Sequence, residues 1–156
     1  MASRYSKDSE MQFKLIEPKQ LAFFLSQQTE EEDYFYIPAY RLFVFSKLDK
    51  EGHKLAFVLD RKIRIDSSCD KIEQLSVLIT KRNIPWRGFE TEFLLGLTPV
   101  DCTKGVVVPT LRVNIFSGDT IFHWDQIANI IMGDELFNYL DWLKNNYGIN
   151  YQVLDT

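Results

Sequence analysis

His53, His123, Cys69 and Cys102 are the residues of this 156-residue chain whose types best suit metal or nucleophile chemistry. Their spacing supports neither. Zinc sites draw three or four ligands and usually contain a close Cys or His pair, and none of these four stands near another. Cys102 and His123 can meet in space as a thiol and its base, but no local feature activates the thiol, so an inert, half-buried cysteine is expected. Two thiols behind the polar start MASRYSKDSEMQ, which lacks the apolar core of a signal peptide, read as reduced and cytoplasmic.

Carboxylates offer a second chemistry. Asp60 precedes Arg61-Lys62, and Glu90 and Glu92 alternate in one segment. Two-metal nucleases set acids at strand ends beside a lysine, because the acids hold Mg²⁺ and the lysine offsets developing charge. Asp60, Glu90, Glu92 and Lys62 fit that pattern in type, though solvated strand-end charges fit it equally well. The seven glycines fall singly along the chain, so no phosphate-cradling loop of the G-x-G-x-x-G or P-loop kind is present. Signature residues of acetyltransferases, kinases, α/β-hydrolases and zinc fingers are also missing. No catalytic residue, metal ligand or cofactor is therefore assigned, and a non-enzyme is the favoured reading.

Charge is the stronger lead. Residues 1–40 hold four Lys/Arg against seven Asp/Glu, residues 41–87 hold eleven against six, and residues 88–156 hold three against nine. A net charge of −4 and an isoelectric point near 5.2 conceal a basic middle between acidic ends. Such asymmetry selects partners by sign. In the middle, Arg61, Lys62, Arg64, Lys81, Arg82 and Arg87, with Trp86 among the guanidiniums, form a candidate patch for an anionic ligand. Ordinary surface cations are the bland alternative. At the acidic end, Asp134, Glu135 and Asp141 with Trp142 form a candidate face for a cationic partner, since an exposed Trp concentrates binding energy. A Trp that merely finishes the core is the bland alternative there.

These residues need elements to hold them. Phe13 to Ile16 reads as a short strand, and Glu17-Pro18 opens a helix through Leu21 to Leu25, Pro being tolerated in a first turn. Glu30 to Asp33 reads as a solvated loop. Arg41 to Phe45 and Leu55 to Leu59, flanking Asp49-Lys50-Glu51-Gly52, form a β-hairpin. Its consecutive apolar residues predict a hairpin covered on both faces. Lys62 to Ile65 alternates as a half-exposed strand. Asp70 with Glu73, then Ile72, Leu75, Leu78 and Ile79, predict a helix ending at Lys81 and Arg82. Phe93 to Leu95, Val106 to Val108 and Leu111 to Ile115 predict strands, as does Ile121 to Trp124. Asp125 caps a helix to Met132, and a second helix from Gly133-Asp134 to Tyr147 shows one apolar face through Leu136, Phe137, Leu140, Leu143 and Tyr147. Gly148 stops it, and an edge strand follows within 149–154.

The sum is an α+β chain. It has a flexible tail at 1–10 and one globular domain over 11–156, a mainly antiparallel sheet around a central hairpin at about 41–59, and three to four helices. Nothing in it is long and apolar enough to span a membrane. The favoured function is non-catalytic recognition of another protein, in the manner of an inhibitor, immunity protein or adaptor. Alternatives are a Mg-dependent phosphate-ester enzyme, or nucleic-acid binding through residues 61–87. A homodimer pairing basic and acidic surfaces is a further expectation.

Overall fold

The computed structural model describes residues 12–50, 52–68, 70–71, 78–84, 89–115 and 124–154, and only the backbone at 78–84, 89–91 and 124–126. The expected tail at 1–10 lies outside the described residues, as do Cys69, Trp86, Arg87 and His123. Runs rich in aromatic and β-branched residues build a nine-stranded sheet. Its strands are β1 (Lys14–Leu15), β2 (Glu32–Ile37), β3 (Leu42–Asp49), β4 (Gly52–Leu59), β5 (Ile63–Ile65), β6 (Leu78–Ile84), β7 (Phe89–Asp101), β8 (Val106–Ile115) and β9 (Tyr151–Val153). The pairing of β1 with β2 is parallel and the rest are antiparallel. The α-helices are α1 (Leu21–Ser26), α2 (Trp124–Met132) and α3 (Asp134–Tyr147). The chain is α+β, as its sequence predicts, and no described helix is long and apolar enough to cross a membrane.

β8 is the spine. One edge pairs with β7 along its length, while the other pairs first with β4 (Val58 opposite Thr110) and then with β5 (Ile63 opposite Val107). From Val58 to Ile63 the chain advances five residues against three on β8, so the connection through residues 59–62 holds two more residues than the β8 segment it faces. The break falls at Pro109, which has no N–H to offer that edge. Gly105 closes the turn before β8 in a left-handed conformation (φ +68°), and a Cβ there would lie 2.5 Å from the Ile65 carbonyl oxygen. Only glycine allows β5 to approach so closely, and the Ile65 N–H donates to the Gly105 carbonyl at 2.9 Å.

The sheet's inner face is dry. Phe35 and Ile37 on β2, Leu42 and Val44 on β3, Leu55 and Phe57 on β4, and Leu111 and Val113 on β8 join one cluster with residues of all three helices. Leu21 and Leu25 come from α1, Ile127, Ile130 and Ile131 from α2, and Leu136, Leu140 and Leu143 from α3. The outer face has no helix over it among the described residues.

Three expectations are corrected. The hairpin is covered fully on one face only: Leu42 and Val44 are buried, whereas Phe43 and Phe45 are half-buried on the other side. Those rings pack edge to face with Phe13 at 5.0 and 5.6 Å, so consecutive apolar residues here mean an aromatic outer layer. Two-sided burial holds only at Phe57-Val58-Leu59. Second, Leu78–Ile84 is strand β6, in register with Phe89–Leu95 of β7, and not the end of a helix. The Ser68 hydroxyl does accept the Lys71 N–H at 3.2 Å, opening a helical turn. The β-branched residues Ile79, Thr80 and Ile84 instead complete the free edge of β7, and pairing overrides local periodicity. Third, Glu32 and Asp33 belong to β2 and not to a loop. Tyr34 to Ile37 draw them into the ladder, and the Lys14 ammonium offsets Asp33 at 3.1 Å.

Candidate functional site: the exposed arc of the last helix

Helix α3 is built by signals at both ends. Asp134 and Glu135 occupy its first turn and Lys144 its last, each sign complementing the helix dipole. Gly148 ends it in a left-handed conformation (φ 66°), its N–H donating to the Lys144 carbonyl at 3.0 Å. Leu136, Tyr139, Leu140 and Leu143 are buried on one side. Steps of three and four residues then put Asp134, Asn138, Asp141 and Asn145 along the opposite line, and all four are exposed. Glu135 and Trp142, seven residues apart, run beside that line.

Trp142 is 38 % exposed and Tyr147 is 46 % exposed. The indole stacks on the buried Tyr139 ring at 6.2 Å with an interplanar angle of 20°, and meets Tyr147 edge to face at 5.4 Å. The indole is therefore packed among rings of its own helix while part of it stays open to solvent. Asp141 accepts the Tyr151 hydroxyl at 3.1 Å. Burial, then the hydrogen bond to Asp141 and its charge, raises the Tyr151 pKa, so the phenol stays neutral and keeps donating. The four residues proposed from sequence as an acidic partner face thus share one arc of one helix.

The proposed basic patch is divided. Arg64 is exposed on β5, Lys62 is half-buried beside it, and the Arg61 guanidinium lies 5.6 Å from the Phe137 ring of α3. Lys81 and Arg82 are on β6, across β8 and β7 from β5. Measured along the sheet this is roughly 25–30 Å, from about 3.3 Å per residue and 4.8 Å per strand. Arg61 thus lies against the acidic helix, Arg64 sits between β8 and β9, and both are far from Lys81 and Arg82. The carboxylates considered for Mg²⁺ are separated as well. Asp60 pairs with Arg41 at 3.4 Å at the end of β4, whereas Glu92 on β7 accepts the Asn114 amide at 2.8 Å. No group of three or more His, Cys, Asp or Glu that could hold a metal ion occurs among the described residues.

Sequence reasoning missed a second cationic cluster, on the outer face of the sheet. Lys47, Lys54 and Arg112 line a cleft of about 470 Å³ together with Tyr34 and Phe45. A signal was available: Lys47 and Lys54 are equidistant from the hairpin turn, and a two-residue loop makes them direct cross-strand partners.

A comparison with protein families, with characterised proteins and with solved structures finds no match to this chain.

Proposed function

We propose that this chain is a non-catalytic interaction protein whose α3 arc docks a cationic surface of another protein. The observation that carries this reading is Trp142, 38 % exposed, set beside the exposed acids Asp134 and Asp141. A Trp held flat by stacking loses little entropy on binding and supplies apolar area at the centre of a contact. Carboxylates around it steer a basic partner and reject an acidic one. Lys144, at the far end of the same helix, is the one cation of α3 and marks the limit of the face. Cys102, a free and exposed thiol, suits a reducing compartment, and the cytoplasm is the location this reading carries.

The test uses the whole protein as bait in native lysate, beside the triple variant Asp134→Lys, Glu135→Lys, Asp141→Lys and the single variant Trp142→Ala. A basic partner recovered by wild type and lost from both variants is the expected outcome. Recovery that neither change affects would remove α3 as the docking face. Circular dichroism of each variant separates lost binding from lost folding, which surface substitutions of this kind rarely cause.

A further inference from the structure

The outer face of the sheet is chemically unlike α3. Lys47 on β3 stands directly opposite Lys54 on β4. Arg112 on β8 lies diagonal to Lys54, because Lys54 pairs with Asn114 and Ala56 with Arg112. Like charges so placed oppose folding. Asp49 relieves Lys54 at 3.0 Å. Lys47 and Arg112 are exposed, and the ion pairs among the described residues include neither of them. The neighbouring row is aromatic. Tyr34 on β2 pairs with Phe45 on β3, and the two half-buried rings lie 5.9 Å apart at 77°. Cations and rings line the same open cleft of about 470 Å³.

We propose that this face binds single-stranded nucleic acid, with phosphates on Lys47, Lys54 and Arg112 and bases against Tyr34 and Phe45. Charge complementarity selects an anion, and the ring row selects one that also carries flat apolar faces. Unpaired nucleotides supply both at every unit of the strand, whereas a duplex hides its base faces and a run of Asp or Glu carries no ring to stack. Glu32, which accepts the Tyr34 hydroxyl at 2.6 Å, forms an acidic margin on the β2 side. Glu92 on β7, which accepts the Asn114 amide at 2.8 Å, bounds the β8 side, so the phosphate path is confined to Lys47, Lys54 and Arg112 between the two acids. This surface lies across the sheet from the helices and does not depend on the role given to α3.

The experiment is fluorescence anisotropy of a labelled oligo-dT or oligo-U strand, about 12 nucleotides long, titrated with the full chain at several KCl concentrations starting near about 50 mM. Three phosphate contacts predict a log–log salt slope of about −2, at about 0.7 per phosphate. Lys47→Glu and Arg112→Ser, both at exposed positions, should each weaken binding and flatten that slope by close to one contact. Tyr34→Ala should weaken binding by about fivefold or more, the low end of one lost base stack. Lys104→Glu, an exposed cation in the β7–β8 turn, should leave affinity within about twofold, as expected of a rim charge away from the site. The inference is overturned by no anisotropy change, by equal loss in Lys104→Glu, or by poly-glutamate competing better than unlabelled oligonucleotide.

Discussion

His53 is the residue whose setting departs furthest from what its chemistry prefers. It is 4 % exposed near the start of β4, and its Nε2 has no hydrogen-bond partner among the described residues. Burial lowers its pKa below 6.5, with the Asp49 charge opposing part of that shift. In the unfolded chain the imidazole takes a proton near its ordinary value, whereas the folded chain resists it, so the unfolded state binds more protons just below that pH. Stability is then fully present above about pH 6.5 and is lost as pH falls toward the lower folded value, at no more than about 1.4 kcal/mol per pH unit for one proton. Urea midpoints measured from pH 7.5 to about 5.5 should fall more steeply in wild type than in His53→Gln. Parallel profiles would show that His53 does not titrate between the two states. From sequence His53 reads only as a histidine at a hairpin end, because its place opposite Ile115 depends on β8, 62 residues further along the chain, lying alongside β4.

At the scale of elements, what was legible was local. The β3–β4 hairpin, the α3 helix with its Gly148 stop, and the acidic arc on that helix are each written in consecutive residues. Their geometry follows from periods of two and 3.6. What was illegible depended on partners far away. Leu78 to Arg82 fits a helix until β7 offers an edge, and Arg112 joins Lys47 and Lys54 only because β8 pairs with β4. The two-sided hairpin was a misreading of the same origin, since aromatic residues fill a half-covered face as readily as a closed one. Phe57 is 0 % exposed and Phe45 is half-buried, so their truncations should differ. Phe57→Ala should cost about 3–5 kcal/mol, the range for a buried ring and its cavity. Phe45→Ala should cost about half as much, since a half-covered ring gains less by burial. Lys50→Ala, in the turn, should stay within about 0.5 kcal/mol. Chemical unfolding of the three variants checks the ranking, and equal costs at Phe57 and Phe45 would restore the two-sided hairpin.

For the whole molecule, the acidic helix and the cationic cleft belong to opposite sides of one sheet. Contact between two copies through those surfaces would be head to tail, which does not close into a two-fold dimer. The same sheet joins the parts mechanically. One apolar cluster runs from Ile16 through β2, β3, β4 and β8 to α2, α3 and Ile149, so neither the early strands nor the last helices have a core of their own. Folding should be a single cooperative step. Urea unfolding followed by Trp fluorescence and by far-UV circular dichroism should give coincident curves, as two-state behaviour requires. Phe35→Ala on β2 and Leu140→Ala on α3 remove buried side chains from opposite ends of that cluster. Each should lower the midpoint of the whole transition, through losses in stability of about 3–5 and 2–5 kcal/mol respectively. If Leu140→Ala instead released a helical phase that melted ahead of the sheet, α2 and α3 would be a separate folding unit, and the α3 arc could then change shape on binding without disturbing the cationic face.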